Sequence, residues 1–259
     1  MLSAERKAKL VELKNKIKSS QVWTSMFRHD FSDTPKTRMS RIFDNIWLHL
    51  HPVKIPKVTA RLTHTFCLGG LTFFFFIVLT VTGVLLMFYY RPTVEAAYND
   101  MKDLEFAVTL GMFLRNLHRW SAHLMVFFVI GHMARVFLTA SYKPPREFNW
   151  VVGVLLLVMT LLLSFSGYLL PWDQLAIWAI TVGTNMAAAT PLLGAEGPFA
   201  LATSDNDARF ITLGGHFVGQ ATLLRFYVLH CIALPLAASA FMIIHFWRVH
   251  KDGFAVAPN

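Results

Sequence analysis

The sequence has few charged residues and almost no cysteine. Only 15% of its 259 residues are charged, against about 25% in ordinary soluble domains, and 55% are hydrophobic. Its two cysteines, Cys67 and Cys231, are too few for a disulfide framework or a CxxC zinc site. The first 20 residues carry no apolar run, so we expect no cleavable signal peptide. These deficits exclude an ordinary soluble domain and favour a polytopic membrane protein.

Acidic residues are also scarce. The chain has 15 Asp and Glu against 24 Lys and Arg, which gives a net charge of +9. In a soluble protein this excess would suggest nucleic acid as a partner. Here the basic residues lie mostly at the ends of apolar segments, where they set membrane topology. We therefore expect no nucleic-acid partner.

Four apolar segments are long enough to cross the ~30 Å hydrocarbon core of a bilayer. They lie at about 64–90, 111–140, 150–170 and 221–247. The connections 91–110 and 171–221 are acid-rich, whereas the N-terminal region, the turn at 141–147 and the C-terminal tail are basic. This bias places both termini on the cytoplasmic, electronegative (n) side. The predicted fold class is an all-α polytopic membrane protein, a four-transmembrane-helix bundle.

The predicted domains are a basic extension at 1–60, a membrane domain at 61–253 and a tail at 254–259. In the extension, Leu2, Leu10, Val11 and Leu13 alternate with lysines. A second apolar stripe comprises Ile42, Phe43, Ile46, Trp47 and Leu50. Amphipathic helices in the membrane interface explain both stripes. A short helix packed on a partner subunit explains them equally well.

The second and fourth predicted spans each carry two histidines. His118 and His132 are 14 residues apart, and His230 and His245 are 15 apart. Both separations are about four helical turns, or roughly 21–22 Å, so each pair shares a helix face. The two spans run in the same direction through the membrane. His118 therefore lies opposite His230 near the positive (p) side, and His132 lies opposite His245 near the n side.

Two opposed imidazoles at each level suit one bis-histidine haem. Buried ionisable groups in membrane spans are costly and usually functional. Bis-histidine ligation gives a six-coordinate iron for electron transfer. The sequence thus predicts two haem b groups, one toward each membrane surface, enclosed by the bundle.

Glycines and arginines accompany the histidines at matching positions. Gly69 and Gly83 are 14 residues apart in the first span, and Gly153 and Gly167 are 14 apart in the third. We interpret them as the places where a haem edge leaves no room for a Cβ. Arg115 and Arg135 each lie one turn beyond a ligand, toward its surface, and are interpreted as contacts for haem propionates. The alternative for each arginine is snorkelling to the interface.

The remaining histidines and the cysteines receive more ordinary interpretations. His123 is off the ligand face and is interpreted as structural, and His216 in the 171–221 loop is left undecided. His64 and His250 are expected to snorkel or to contact a quinone. From the residues alone, Cys67 and Cys231 are small core residues.

Several strings in this sequence resemble cytochrome b6, the short four-helix form of cytochrome b. They are FCLGG at 66–70, FYYRPTV at 88–94, HRWSA at 118–122, LPWDQ at 170–174 and RFYVLH at 225–230. The unequal histidine spacing is also similar to the b6 type. The resemblance covers roughly residues 60–253. It implies the cytochrome b subunit of a quinol:cytochrome c or plastocyanin oxidoreductase of the bc/b6f type, not active alone.

The resemblance also implies cofactors and electron transfer. Cys67 matches the cysteine that holds a covalent haem c on the n side in b6-type proteins. A p-side quinol passes one electron to a Rieske iron–sulfur protein and one through the two haems to an n-side quinone, coupled to proton translocation. The quinone is menaquinone, ubiquinone or plastoquinone. Trp172 and Asp173 become plausible wall residues of the p-side quinone site.

The implied partners are a Rieske protein, a membrane c-type cytochrome, lipids and a second copy of the whole complex. The short form lacks a PEWY string, and this chain has none, so a subunit IV-type protein is expected to supply it. The sequence departs from the family in a longer N-terminal region, a longer loop at 194–215, and His250 where an arginine is usual. The implied location is a bacterial inner membrane or a thylakoid.

Two other functions remain open. The first is a dihaem membrane anchor of a quinone-linked dehydrogenase or hydrogenase, with no Rieske partner. The second is a haem-free helical scaffold or transporter, which would show no b-type absorption band.

Overall fold

The computed structural model describes residues 4–26 and 61–253, and every regular element in these ranges is helical. Four helices are long and apolar enough to cross a membrane. They are called the first to fourth membrane helices: Leu68–Met87, Gly111–Leu138, Glu147–Leu169 and Gln220–Asp252. Each overlaps one predicted span, so the all-α, four-span fold class is confirmed. The apolar stripe from Ile42 to Leu50 lies outside the described residues.

The connections contain more helix than the sequence predicted. Shorter helices lie at Ala4–Ser19, Gln21–Met26, Leu62–Thr65, Ala97–Phe106, Gln174–Ala188 and Ala208–Leu213. The segments 91–110 and 171–221 are therefore not simple loops. Acidic residues in these segments suggested loops, but two of them, Asp173 and Asp207, are the N-cap residues of short helices.

The helix Gln174–Ala188 follows directly after the third membrane helix. The Asp173 carboxylate accepts a hydrogen bond from the Ala176 backbone N–H at 2.8 Å, which satisfies one of the free donors of the first turn. Ala176 and Ile180, one turn apart, are fully buried against Leu169 and Phe226. Burial of this apolar face stabilises the helix.

The chain divides into two compact units. One comprises residues up to Cys67 together with Gly131–Leu156 and the chain from Ala240 onward, and the other comprises Leu68–Ile130 and Leu157–Ser239. The pair His132 and His245 belongs to the first unit. The pair His118 and His230 belongs to the second. Each histidine level is therefore assembled within one unit.

In the unit that holds His118, the connection after the first membrane helix is fixed by polar contacts. The Tyr90 hydroxyl donates to the Leu170 carbonyl at 2.6 Å, and the Arg91 backbone N–H donates to buried Asp100 at 2.8 Å. Hydrogen bonds from Arg91 lower the pKa of the Asp100 carboxyl. The resulting stabilisation is present above the unfolded pKa and is lost as the pH falls through the lowered one.

In the unit that holds His132, a buried arginine joins the N-terminal helices to the end of the fourth membrane helix. Arg248 pairs with Asp252, one turn later, at 2.9 Å, and both side chains are almost fully buried. The Arg248 guanidinium also donates to the Met26 carbonyl at 3.1 Å. The helix Gln21–Met26 is thereby held against this membrane helix.

Candidate haem sites on the second and fourth membrane helices

The structure brings the four predicted ligands together as two pairs. The ring centres of His118 and His230 are 6.3 Å apart, and those of His132 and His245 are 6.4 Å apart. The ring planes are nearly perpendicular, at 75° and 85°. The partners are the ones expected from parallel second and fourth helices. Nearly equal separations at both levels indicate one kind of site, formed twice.

The separation fits a single metal ion between two imidazoles. A first-row metal bonds an imidazole nitrogen at about 2 Å, and the ring centre lies about 1.1 Å behind that nitrogen, so a collinear arrangement separates the centres by about 6.2 Å. Within the described residues, no group of three or more His, Cys, Asp or Glu is placed to hold a metal ion. A metal between each pair therefore needs its other ligands from a bound group. An iron porphyrin supplies four nitrogens in a plane, so the residues fit haem.

Hydroxyl and carbonyl groups orient the rings of the His118 pair. The Thr82 hydroxyl is 2.8 Å from His118 Nδ1 and itself donates to the Val78 carbonyl, so it accepts the Nδ1–H. His230 Nδ1 lies 3.1 Å from the Leu163 carbonyl and 3.2 Å from the Ser166 hydroxyl. A proton fixed on Nδ1 leaves Nε2 with its lone pair, as a metal ligand requires.

These orienting residues were missed from the sequence, although a signal was present. Thr82 directly precedes Gly83, and Ser166 directly precedes Gly167. Each hydroxyl-glycine pair contacts the same histidine, the hydroxyl at Nδ1 and the glycine along the ring. Both hydroxyl residues are buried, at 4% and 2% exposure. The repeated pattern marks the places where a neighbouring helix contacts a predicted haem ligand.

The other level is held differently. His245 Nδ1 and the Asn149 side-chain oxygen are buried and make no hydrogen bond of ordinary geometry with the described residues, and the His245 ring interacts with the Asn149 backbone carbonyl. A Cβ on Gly153 would lie 3.8 Å from His245 Cε1 and 3.6 Å from the Met133 sulfur, which is ordinary contact distance.

The predicted glycines leave room for the ligands themselves. A Cβ on Gly167 would lie 2.5 Å from His230 Cε1, and one on Gly83 would lie 3.3 Å from His118 Cε1. The nearest obstacle at both positions is an imidazole ring, whereas the sequence interpretation assigned that role to the haem edge. Gly69 lies in the first turn of the first membrane helix and is half-buried.

Adding a methyl group at Gly167 is expected to disturb the His118 and His230 site selectively. In a Gly167→Ala variant the new Cβ would overlap the His230 ring, so we expect at least a several-fold loss of the b-type haem at this level. Gly70→Ala is the control, because a Cβ there has nothing within 4 Å. Haem content per polypeptide in the purified complex measures both. Equal haem content in the two variants would contradict the prediction.

The fourth membrane helix has a π-turn at Leu229–Ala233, directly at His230. The Leu234 N–H donates to the Leu229 carbonyl five residues earlier. Pro235 follows, and a proline has no N–H and its ring crowds the carbonyl four residues before it, here that of Cys231. A wider turn at this point relieves that crowding.

The π-turn explains why the two histidine spacings differ. Fourteen α-helical residues turn a side chain to about 40° short of four full turns, and fifteen would turn it about 100° further. A π-turn takes up one residue more than an α-turn. The 15 positions from His230 to His245 include the π-turn, so they give about the same rotation around the helix axis as the 14 regular positions from His118 to His132.

The two predicted propionate arginines have protein partners. Arg115 forms an ion pair with Glu105, and the Arg135 guanidinium lies 3.1 Å from His64 Nε2. Arg135 Nε is buried with no hydrogen-bond partner among the described residues. One donor of Arg135 is therefore available to a bound anion, while Arg115 already neutralises a carboxylate. Their predicted roles toward propionates stay predictions.

Cys67 differs from the small core residue expected from its apolar surroundings. Its side chain is exposed and the thiol is free. Phe66 and Cys67 have φ values of 49° and 51°, in the left-handed region, and form a tight turn between Leu62–Thr65 and the first membrane helix. The Thr65 hydroxyl accepts the Cys67 backbone N–H at 3.3 Å. The turn thus presents the sulfur at the surface.

Trp172 and Asp173 line a shallow pocket with Tyr98, Gln174 and Leu175. The Asp173 carboxylate also serves as the helix cap described above, so it has a structural role that the sequence interpretation did not include. Its predicted contact with quinone stays a prediction.

The fold and the paired histidines define a class: a four-span helical membrane protein built like a membrane cytochrome. The family described as cytochrome b/b6/petB matches residues 53–253 of this chain. Cytochrome b6 of Oltmannsiellopsis viridis is 44% identical over 73% of this chain and 83% of its own length. That of Euglena gracilis is 39% identical over 84% of this chain and 99% of its own length. The chain belongs to the cytochrome b/b6 family, which confirms the resemblance seen in the sequence.

A solved structure extends the likeness to the fold. A chain of a hyperthermophilic respiratory Complex III superposes with a TM-score of 0.66 at 26% sequence identity. The match covers 85% of this chain and 54% of the solved chain. This chain therefore spans about half the length of that relative.

Proposed function

We propose that this chain is the cytochrome b subunit of a bc/b6f-type quinol oxidoreductase. It carries electrons across the membrane from a p-side quinol oxidation site to an n-side quinone site, coupled to proton translocation. The observation that carries the proposal is the pair of histidine sites with ring centres 6.3 and 6.4 Å apart. Two haem b groups, when bound, supply reversible one-electron chemistry at each level.

The chain's own residues perform the binding and orienting steps. His118 and His230 would hold one haem iron, and His132 and His245 would hold the other. Thr82, Ser166 and the Leu163 carbonyl keep the proton on Nδ1 of the first pair, which leaves the Nε2 lone pair free for a metal. The apolar spans exclude water from both levels. Electron transfer across ~30 Å of hydrocarbon needs intermediate carriers, and ligands four helical turns apart provide two.

Quinol oxidation has to cover the cost of moving charge through the membrane. That cost is about 2.3 kcal/mol per elementary charge per 100 mV. We therefore expect the two quinol electrons to be divided, one passing to a Rieske protein and the other to this chain, so that quinol oxidation as a whole covers this free-energy cost. A subunit IV-type protein with the PEWY string, a c-type cytochrome and a second copy of the complex complete the assembly.

Reductase activity of the intact complex tests this function. We expect electron transfer from a quinol to a c-type cytochrome or plastocyanin, abolished by inhibitors of the p-side quinol site. Proximity labelling should find an iron–sulfur subunit in the same complex. A complex that contains b haems but has no Rieske partner and no sensitivity to such inhibitors would instead be the dihaem anchor of a dehydrogenase or hydrogenase.

The N-terminal extension at 1–60 is proposed to lie at the n-side membrane surface, outside the haem domain of 61–253. In its described part, Leu10, Leu13 and Ile17 form one exposed stripe along the helix Ala4–Ser19. Lysines flank the stripe on both sides, at positions 7, 9, 14, 16 and 18. A narrow apolar stripe between lysines suits an anionic bilayer surface. The basic turn at 141–147 and the basic end of the fourth helix support the same sidedness.

Cys67 is proposed to hold a covalent haem c through one thioether. Its exposed thiol on a tight turn supports this assignment, because a porphyrin vinyl group must reach the sulfur. We expect haem that survives acid-acetone extraction and stays with the polypeptide on a denaturing gel. Cys67→Ser should abolish this stain, and Cys231→Ser, the matched control, should keep it. A stain that is absent from the wild-type chain would refute the thioether.

A further inference from the structure

The outer face of the second membrane helix carries one ionisable side chain near the middle of the helix and another one turn nearer its N-terminal end. His123 is exposed and lies within two residues of the midpoint of Gly111–Leu138. Arg119 is exposed one turn earlier, on the same face. Trp120 lies between them, 5.7 Å from the His123 ring and 5.9 Å from the Arg119 guanidinium. This polar patch is defined by Arg119, Trp120 and His123.

The patch is unlike the other outward faces of the spans. Near its middle the first membrane helix exposes apolar side chains, among them Phe74, Ile77 and Val81, and the exposed Thr80 hydroxyl is satisfied by the Phe76 carbonyl of its own helix. The third exposes Val154, Val158 and Leu161. Those faces suit lipid tails. An outward imidazole at mid-depth does not, because polar hydrogens left unsatisfied in hydrocarbon are costly.

The ring contacts within the patch do not satisfy its donors. An indole face attracts the Arg119 cation weakly, and an edge contact gives the His123 ring no acceptor. No hydrogen bond or ion pair joins either side chain to another described residue. The Arg119 and His123 donors therefore need a hydrogen-bond acceptor beside His123, preferably one with negative charge.

We propose that this patch docks a membrane helix of a different subunit, one that presents a carboxylate or amide oxygen to His123 and Arg119. A second copy of this chain fits poorly, because a two-fold contact through the same patch would bring two Arg119 cations together. The proposal rests on the proposed function only in requiring a multisubunit complex. It is independent of the haem ligands.

Photo-crosslinking in the intact complex identifies the occupant. His123→p-benzoylphenylalanine is expected to form an adduct with a transmembrane helix of another subunit, within about one turn of an Asp, Glu, Asn or Gln on that helix. The control is Ile77→p-benzoylphenylalanine, at the middle of the first membrane helix, where we expect lipid adducts. Three results would overturn the proposal: adducts to lipid only, to a second copy of this chain, or to a helix with no such acceptor.

A second pair of variants tests the hydrogen bond itself. His123→Leu is expected to lower about threefold to tenfold the amount of partner subunit that copurifies with the chain in detergent. His123→Asn keeps a donor and should retain the partner. The b-haem difference spectrum should be unchanged in both, which separates this proposal from the haem assignment. Equal retention of the partner in both variants would contradict a hydrogen-bonded contact.

Discussion

Replacing His132 with alanine is expected to remove one b haem from each polypeptide and leave the other. The ring centres of His132 and His245 are 6.4 Å apart, so without His132 the iron at this level has one protein ligand. The site of His118 and His230 is assembled in the other compact unit and keeps its own hydrogen bonds. The amplitude of the reduced-minus-oxidised b-type spectrum should therefore fall by about half. Transmembrane electron transfer should be lost entirely, because a single carrier does not bridge ~30 Å of hydrocarbon.

The control for this variant is His123→Ala on the same helix. His123 faces outward, so its loss should leave both haem signals at full amplitude. A His132→Ala protein that retains both haems would show that His132 is not a ligand. If the alanine variant fails to fold and loses both haems, the His132→Met variant replaces it as the test. Methionine can also serve as an axial ligand, so this variant is expected to keep both haem signals, one of them with an altered redox potential.

Deleting one residue is expected to be harmless in the fourth membrane helix and damaging in the second. Removal of Ile232 from the π-turn reduces the separation of His230 and His245 from 15 to 14 positions, the separation of His118 and His132 in the regular α-helix. The turn can then close to α-helical geometry with both ligands on one face. Removal of Phe127 reduces the separation of His118 and His132 from 14 to 13 positions and rotates one of the two histidines by about 100° relative to the other. We expect both haems in the first variant and the loss of at least one in the second.

The two deletions are matched in their other effects. Ile232 and Phe127 are both outward-facing apolar residues, with 47% and 69% of their surface exposed. Each lies between the two ligands of its helix. Membrane insertion, measured as the amount of chain in the membrane fraction, should be similar for both. If the Ile232 deletion loses a haem as readily as the Phe127 deletion, the π-turn has a role beyond setting the register.

The sequence was sufficient for the spans and for the partners of each histidine. Long apolar segments cross a membrane for reasons of length and solvation alone, and lysine bias predicts their direction. The predicted directions pair His118 with His230 and His132 with His245, as the structure does. The ring separations match those expected for a shared metal. Matching glycines at 83 and 167 were also visible, although their contact is with the imidazoles.

Other features depend on contacts between residues that are distant in the sequence, so the sequence alone does not specify them. The Thr82 hydroxyl accepts from His118 only after the first two membrane helices pack together. The helix Gln174–Ala188 was overlooked because its polar flanks suggested a loop, yet its apolar face is buried against Leu169 and Phe226. The π-turn could have been inferred from Pro235 and the odd residue between the ligands. Neither observation alone specifies at which position of the fourth membrane helix the π-turn accommodates the extra residue.

The most direct test of the central claim is the number and ligation of non-covalent haems in the purified complex. Acid-acetone extraction with a pyridine haemochrome assay gives haem b per chain, and electron paramagnetic resonance reports the axial ligands. The histidine pairs predict two extractable haems per chain, both low-spin with two imidazole ligands. One extractable haem per chain, or a high-spin signal from an open coordination position that persists in the Cys67→Ser complex, which would lack the proposed haem c, would contradict the account.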